Sequence, residues 1–227
     1  MEPGTDRDEG TEPTLDADFF IRWLDAAAAA VARDADRLTE LDAAIGDADH
    51  GSNLNRGFAA VTRRLTEKPP NAPGAVLTGA GRTLISSVGG ASGPLYGTLL
   101  RRAGKELGDA PRVSRVQLAE ALRSGVGAVA ELGGAGGGDK TMLDALQPAV
   151  EGLTRSFGAA ATAAEEGALA TVPLRARRGR AAYLGDRSIG HQDPGAASSA
   201  LLIGALADTA TRAADDDGHR GNGADRV

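Results

Sequence analysis

The residues best suited to chemistry lie in one short polar stretch. Nine consecutive positions contain three carboxylates and a histidine, Asp42, Asp47, Asp49 and His50. Carboxylates held this close repel one another unless a cation neutralises them, and hard oxygen ligands suit Mg²⁺ or Ca²⁺. The spacing does not match the EF-hand calcium loop, which ends in a bidentate acid. The stretch therefore predicts a Mg²⁺ site that is shared with phosphate.

Two helical patterns must position these side chains. Asp42 falls in the last turn of the first pattern, and Gly46 stands where that helix should stop, so we expect a positive φ at Gly46. The next helix follows the acids directly, so the N–H groups of Gly51, Ser52 and Asn53 should form a helix N-terminus that favours anions. The alternative is an acidic turn that binds nothing. The residues alone leave both interpretations open.

The composition favours an all-α protein. Aromatic residues make up only 3% of the 227 residues and alanine is abundant, so helices can pack closely through small side chains. The absence of cysteine excludes disulfides, thiolate zinc sites and thiol nucleophiles. A net charge of −6 and few aromatic residues argue against nucleic-acid binding. The acidic N-terminal residues carry no apolar segment and no run approaches membrane-spanning length, so we expect a cytoplasmic protein without membrane contact.

Helical spacing recurs along most of the chain and indicates one domain. Residues 1–14 are expected to be a disordered extension, 15–213 the helical domain and 214–227 a disordered polar tail. Apolar residues at helical spacing predict helices at 18–33, 34–45, 53–65, from 75 onward, and at 95–107, 116–132, 143–157, 159–170 and 196–213.

Three further polar stretches interrupt this pattern. The run 89–93 lacks bulky side chains, so its backbone could approach a ligand closely, or it could be a plain turn capped by Ser92. The glycine-rich loop before Lys140 is not a P-loop, because Asp139 separates the last glycine from the lysine and no strand is predicted before it. The arginines in 175–187 could bind phosphates or a protein partner, or form a solvated basic surface.

Four of these motifs, taken together, resemble the nucleotide-binding L subunit of bacterial dihydroxyacetone kinase, which is also the C-terminal domain of single-chain kinases. The motifs are L-D-A-A-I-G-D-A-D-H-G-S-N-L-N-R-G-F, S-S-V-G-G-A-S-G-P-L-Y-G-T, G-D-K-T-M-L-D-A-L and G-R-A-A-Y-L-G-D-R-S-I-G-H-Q-D-P-G-A. The resemblance implies a barrel or bundle of about eight antiparallel helices with the nucleotide at one end. This agrees with the all-α fold that the composition favours.

The resemblance also implies the ligands and the residues that bind them. Asp42, Asp47 and Asp49 would hold Mg²⁺, with two ions expected, between the phosphates of ADP or ATP. The other residues implied to lie in the nucleotide site are His50, Gly51, Ser52, Asn53, Ala91, Ser92, Gly133, Met142, Arg180, Asp193, Pro194 and Gly195. No residue is needed as a nucleophile, because phosphoryl transfer depends on the metal and on electrostatic positioning.

The activity implied by the resemblance is phosphoryl transfer to dihydroxyacetone or a related short ketose. The family holds that substrate on a separate K subunit, so this chain should be active only with such a partner. In some family systems a phosphotransferase-system M-type subunit rephosphorylates bound ADP, while in others ATP exchanges freely. The alternatives are a non-catalytic nucleotide-binding regulator that docks on another protein, and a helical scaffold with an empty acidic turn. The sequence leaves the oligomeric state open, a homodimer included.

Overall fold

The computed structural model describes residues 15–221, with side chains described up to Asp216. Within this part the chain forms eight α-helices, one 3₁₀ segment and one pair of two-residue strands. The elements are β1 (Leu15–Asp16), α1 (Ala17–Ile45), α2 (His50–Glu67), α3 (Pro73–Ser87), α4 (Ser92–Leu107), β2 (Arg112–Val113), α5 (Arg115–Gly133), α6 (Leu143–Leu153), α7 (Phe157–Ala170), the 3₁₀ segment (Arg180–Ser188) and α8 (Pro194–Gly221).

The helices form a closed ring in chain order. Each helix packs on the next one along the chain, and α8 packs back on α1. The connections α1–α2, α3–α4, α5–α6 and α7–α8 lie at the same end of the ring, because residues of all four line one cavity. The predicted bundle of about eight antiparallel helices is thereby confirmed, and its site-bearing end is built from four connections.

The aromatic residues of α1 anchor the core. Asp16 caps the helix by accepting the N–H of Phe19 at 2.9 Å, and the buried rings of Phe20 and Trp23 meet edge to face. The indole Nε1 of Trp23 donates to the carbonyl of Leu202 at 2.9 Å, which fastens α1 to α8. Burial of such large side chains is the main stabilising term of a helical bundle.

Small residues let the helices approach closely, as the composition indicates. A Cβ on Gly51 would lie 1.9 Å from the carbonyl oxygen of Ala35, so α2 starts in direct backbone contact with α1. A Cβ on Gly74 would lie 2.2 Å from the carbonyl oxygen of Gly108, at the far end of α3 and α4. Glycine at these positions is therefore a packing requirement rather than a source of mobility.

Two of the predicted breaks between helices differ from those in the structure. Residues 18–45 form one uninterrupted helix, because the alanine run in its middle has high helix propensity and no breaker. The segment predicted as one helix at 143–157 instead stops at Leu153, and Ser156 starts α7 by accepting the N–H of Ala159 at 2.9 Å. A local serine cap thus outweighs the continuing apolar pattern.

The last helix is longer than predicted. It continues past residue 213 to Gly221, so residues 214–221 are helical rather than part of a disordered tail. The chain offers no glycine or proline between Gly204 and Gly218 to stop it. The predicted disorder of residues 1–14 and 222–227 lies outside the described residues. No helix in the described part of the chain has the length and apolar character needed to cross a membrane.

Candidate functional site

A cavity of about 440 Å³ opens at the end of the ring where the four connections meet. Most of the residues predicted for the site line it, although they come from five separate segments of the chain. They are Asp42, Asp47, Asp49, His50, Ala91, Ser92, Gly133, Met142, Arg180, Asp193, Pro194 and Gly195. Closing the ring therefore brings together motifs that lie up to about 150 positions apart in the sequence.

The three carboxylates form a compact cluster at one side of this cavity. One oxygen each from Asp42, Asp47 and Asp49 lies within 4.8 Å of the others. Asp42 is buried, and its Oδ2 accepts the N–H groups of Asp49 at 2.9 Å and His50 at 3.2 Å, so it points back over the turn as predicted. A set of close, hard oxygen donors of this kind fits Mg²⁺.

The turn that carries the acids differs from the prediction in its glycine. Gly46 has φ −140°, so the expected positive φ is wrong for this residue. The positive φ, 62°, belongs to Ala48 instead. Gly46 is needed for a steric reason, because a Cβ there would lie 1.9 Å from Oδ1 of Asp42.

The start of α2 also differs from the prediction. The N–H of Asn53 donates to the carbonyl of Asp49 at 2.9 Å, so the expectation that it is free for an anion is wrong. Gly51, Ser52 and Asn53 do not line the cavity. The Ser52 hydroxyl donates to the carbonyl of Asp49, and the Asn53 side chain accepts from Arg56.

His50 is held rigidly at the cavity wall. Its Nε2 lies 2.8 Å from the hydroxyl of Ser198, and its Nδ1 lies 3.0 Å from the hydroxyl of Ser92. Burial lowers the pKa of His50, although the carboxylates of Asp42 and Asp49 act in the opposite direction. The imidazole is therefore neutral, with one serine hydroxyl at each nitrogen, and it holds the side chain of Ser92 at the start of α4.

Tyr96 completes this buried network and was not identified from the sequence. Its hydroxyl lies 2.7 Å from the Ser198 hydroxyl and 2.9 Å from the Ser199 hydroxyl, and it donates to the carbonyl of Gly195 at 3.2 Å. Burial raises the pKa of Tyr96 to about 12, so the phenol stays protonated. Tyr96 thus ties α4 to the start of α8 beneath His50.

Replacing Tyr96 with phenylalanine is expected to lower the free energy of unfolding by about 1–2 kcal/mol, because two buried serine hydroxyls lose a partner. Urea denaturation measures the change. Tyr183→Phe is the matched control, since Tyr183 is 90% exposed and its hydroxyl should contribute nothing. Equal stabilities of Tyr96→Phe and Tyr183→Phe would show that the network does not stabilise the site.

The arginines of the 175–187 stretch are neither a single clamp nor a uniform basic surface. Arg178 Nε lies 3.8 Å from Asp139, and Arg177 lies 3.9 Å from the same carboxylate. Arg180 instead pairs with Asp47, and its guanidinium lies 3.0 Å from Oδ2 of that carboxylate. Arg178 and Arg180 both line the cavity, and Arg178 was not singled out as a site residue from the sequence.

Lys140 has a structural role that differs from a P-loop lysine. Its side chain is buried, and its Nζ donates to the carbonyls of Thr171 at 2.8 Å and Leu174 at 3.1 Å, and also to His191. Its φ of 64° is the left-handed value that side chains rarely adopt. Burial lowers the pKa of Lys140, while Asp193 and Asp144 oppose that shift. The ammonium group fastens the α5–α6 connection to the chain between α7 and α8.

Asp193 and the apolar cavity wall complete the site. The carboxylate of Asp193 caps α8 by accepting the N–H of Ala196 at 2.7 Å, and burial raises its pKa to about 7. The apolar wall is formed by Ile45, Leu95, Val129, Leu132 and Leu143. No sequence signal distinguishes such wall residues from ordinary core residues, because both lie on the same helical stripe.

The chain is similar to known proteins in sequence and in fold. A family model described as the DAK2 domain matches residues 44–208. The chain is 42% identical over 198 residues to the PEP-dependent dihydroxyacetone kinase, ADP-binding subunit DhaL, of Escherichia coli strain K12. The alignment covers 83% of this chain and 94% of that protein. It is 39% identical over 207 residues to D-erythrulose kinase of Mycolicibacterium smegmatis, which covers 86% of this chain and 36% of that longer protein.

A solved structure has the same fold. The crystal structure of the dihydroxyacetone kinase from C. freundii in complex with AMP-PNP and Mg²⁺ matches with a TM-score of 0.70 and 29% sequence identity, over 92% of this chain and 36% of that chain. These findings confirm the resemblance drawn from the four sequence motifs. Because the family model matches most of its length, the chain belongs to the DAK2 domain family.

Proposed function

We propose that this chain is the nucleotide-binding subunit of a dihydroxyacetone kinase and supports phosphoryl transfer to dihydroxyacetone or a related short ketose held on a K subunit. The observation that carries the proposal is the cluster of Asp42, Asp47 and Asp49 at the mouth of the cavity. It is supported by the relative in E. coli, whose name gives it as the ADP-binding subunit of such a kinase.

The three carboxylates would hold Mg²⁺, and we expect two ions. Bound Mg²⁺ supplies charge neutralisation for the phosphates and for the transferred phosphoryl group. The buried position of Asp42 fixes one ligand oxygen, because the same carboxylate accepts two backbone N–H groups from the start of α2. This carboxylate is thus held in position without a ligand, and such preorganisation is how electrostatic catalysis avoids a reorganisation cost.

The rest of the cavity suits the remainder of ADP or ATP. Its volume of about 440 Å³ falls in the range of small-molecule sites. Its apolar wall includes Leu95 of α4 and Leu132 of α5, which can pack against a base. Arg180 lies 3.0 Å from Oδ2 of Asp47. Ser92 lines the same cavity, and His50 holds its hydroxyl in place. We assign these donors to the phosphates.

The names of the relatives support the proposed partners. Three relatives of which the chain covers 94–99% are named as PEP-dependent ADP-binding subunits, and another is named as PTS-dependent. These names favour a mode in which ADP stays bound and is rephosphorylated by a phosphotransferase-system M-type subunit. The K subunit would present the ketose to the cavity mouth.

The function is tested by reconstitution. The purified chain is mixed with a K-type subunit and dihydroxyacetone, and formation of dihydroxyacetone phosphate is followed with ATP, or with PEP and phosphotransferase-system proteins. We expect product only when both subunits are present, and faster turnover with PEP. Mg²⁺-dependent ADP binding without turnover in either system would instead support a regulator. No nucleotide binding at all would refute both functions.

A further inference from the structure

At the cavity mouth the positively charged side chain of Arg180 pairs with Asp47, one of the proposed metal ligands. The Arg180 guanidinium lies 3.0 Å from Oδ2 of Asp47, and Asp47 belongs to the cluster of three carboxylates. A divalent cation on that cluster and the guanidinium would share one carboxylate. Since the cluster oxygens all lie within 4.8 Å of one another, the two positive charges would lie close enough to repel.

The backbone of Arg180 is positioned by the packing of its neighbours. The next residue, Ala181, is buried against Ile45, the last residue of α1. Gly179, with φ 66°, turns the chain directly before Arg180. The backbone of Arg180 is thereby held beside the turn that carries Asp47. The local backbone therefore keeps the Arg180 side chain within reach of Asp47.

The neighbouring arginines do not share this position. Arg177 and Arg178 form ion pairs with Asp139, and Arg175 lies 3.3 Å from Asp186. Among the side chains that the structure describes, Arg180 is the arginine that forms an ion pair with the carboxylate cluster. Its charge therefore acts on the metal site and on whatever anion lies between the two.

We propose that Arg180 makes the site selective for a metal–nucleotide complex over a free divalent cation. Without phosphate, the guanidinium competes with the cation for Asp47 and lowers the affinity of the cluster for it. With phosphate between them, both cations attract the same anion and the repulsion is outweighed. Arg180 thus couples metal and nucleotide binding. This inference rests on the proposed function.

The coupling predicts changes of opposite sign in one variant. Arg180→Gln should bind free Mn²⁺ about threefold to tenfold more tightly, because the competing charge is gone, and should bind ADP in the presence of Mn²⁺ more weakly by a similar factor. The factors are modest because both partners are partly exposed. Replacement of a residue with only a structural role would weaken the binding of free Mn²⁺ and of ADP alike.

The experiment titrates Mn²⁺ into the protein with and without ADP and follows free Mn²⁺ by electron paramagnetic resonance. Mn²⁺ serves as the probe because it takes the same hard oxygen ligands as Mg²⁺. Arg187→Gln is the matched control. Arg187 is exposed on the same 3₁₀ segment, and its replacement removes the same charge. We expect the control to match the unmodified chain in both titrations.

The outcomes separate this inference from the function on which it rests. If the unmodified chain binds neither Mn²⁺ nor ADP, the proposed function fails and the inference fails with it. If it binds both, but Arg180→Gln binds free Mn²⁺ equally or more weakly, the inference alone is overturned. A similar gain in Arg187→Gln would also overturn it, because the effect would then be one of general charge.

Discussion

Replacing Asp49 with alanine is expected to raise the dissociation constant for ADP in the presence of Mg²⁺ by at least about 100-fold, because the proposed metal site would lose one of its three carboxylates. Asp49 is the best probe of the three acids. Its side chain makes no capping bond to α2, so its loss leaves the helix start intact. Asp42→Ala would also remove the acceptor of two backbone N–H groups and confound binding with folding.

Heat denaturation measures this effect. A ligand that binds only the native state, present at 100 times its dissociation constant, adds about 2.7 kcal/mol of stability. For a chain of this size that corresponds to a rise in Tm of roughly 5–10 °C. We expect this rise in the unmodified chain with Mg²⁺ and ADP, and a rise of at most about 1 °C in Asp49→Ala at the same ligand concentrations.

A control separates the loss of a ligand from the loss of a charge. Asp36→Ala removes a carboxylate from an exposed position of α1 and should keep the full rise in Tm. If Asp49→Ala retained the rise seen in the unmodified chain, the carboxylate cluster would not be the metal site.

Replacing Lys140 with methionine is expected to lower the free energy of unfolding by about 3 kcal/mol. Methionine fills a similar volume but donates no hydrogen bond, so carbonyls of Thr171, Leu174 and His191 would lose their buried donor. A hydrogen bond that involves a charged group contributes more than a neutral one, which makes this change large for one residue. The corresponding fall in Tm is roughly 6–12 °C.

Urea denaturation tests this prediction, with Lys105→Met as the control because Lys105 is exposed on α4. We also expect weaker ADP binding in Lys140→Met, since Lys140 fastens the connection that carries Met142 to the segment that leads to Asp193. Unchanged stability in Lys140→Met would mean that the carbonyls find water instead, and that the buried ammonium does not hold these connections together.

The parts of the site that are local in the chain could be predicted from the sequence. The clustering of Asp42, Asp47 and Asp49 follows from their short spacing around one turn, which the structure reproduces. The helices were predictable because an amphipathic stripe repeats within each of them. The reason for glycine at position 46 could not be predicted. A side chain there would clash with the Asp42 carboxylate, and the sequence does not show where that carboxylate points.

The sequence by itself determined an all-α chain with an acidic turn suited to Mg²⁺ and a family resemblance that the DAK2 match confirms. The tertiary structure decided which distant side chains meet. His50 bonds Ser198 across 148 positions, Arg180 pairs with Asp47, and Lys140 bonds carbonyls beyond α7. Such contacts carry no local signal, since a polar side chain on a helix or loop looks solvated until the closed ring places a partner beside it.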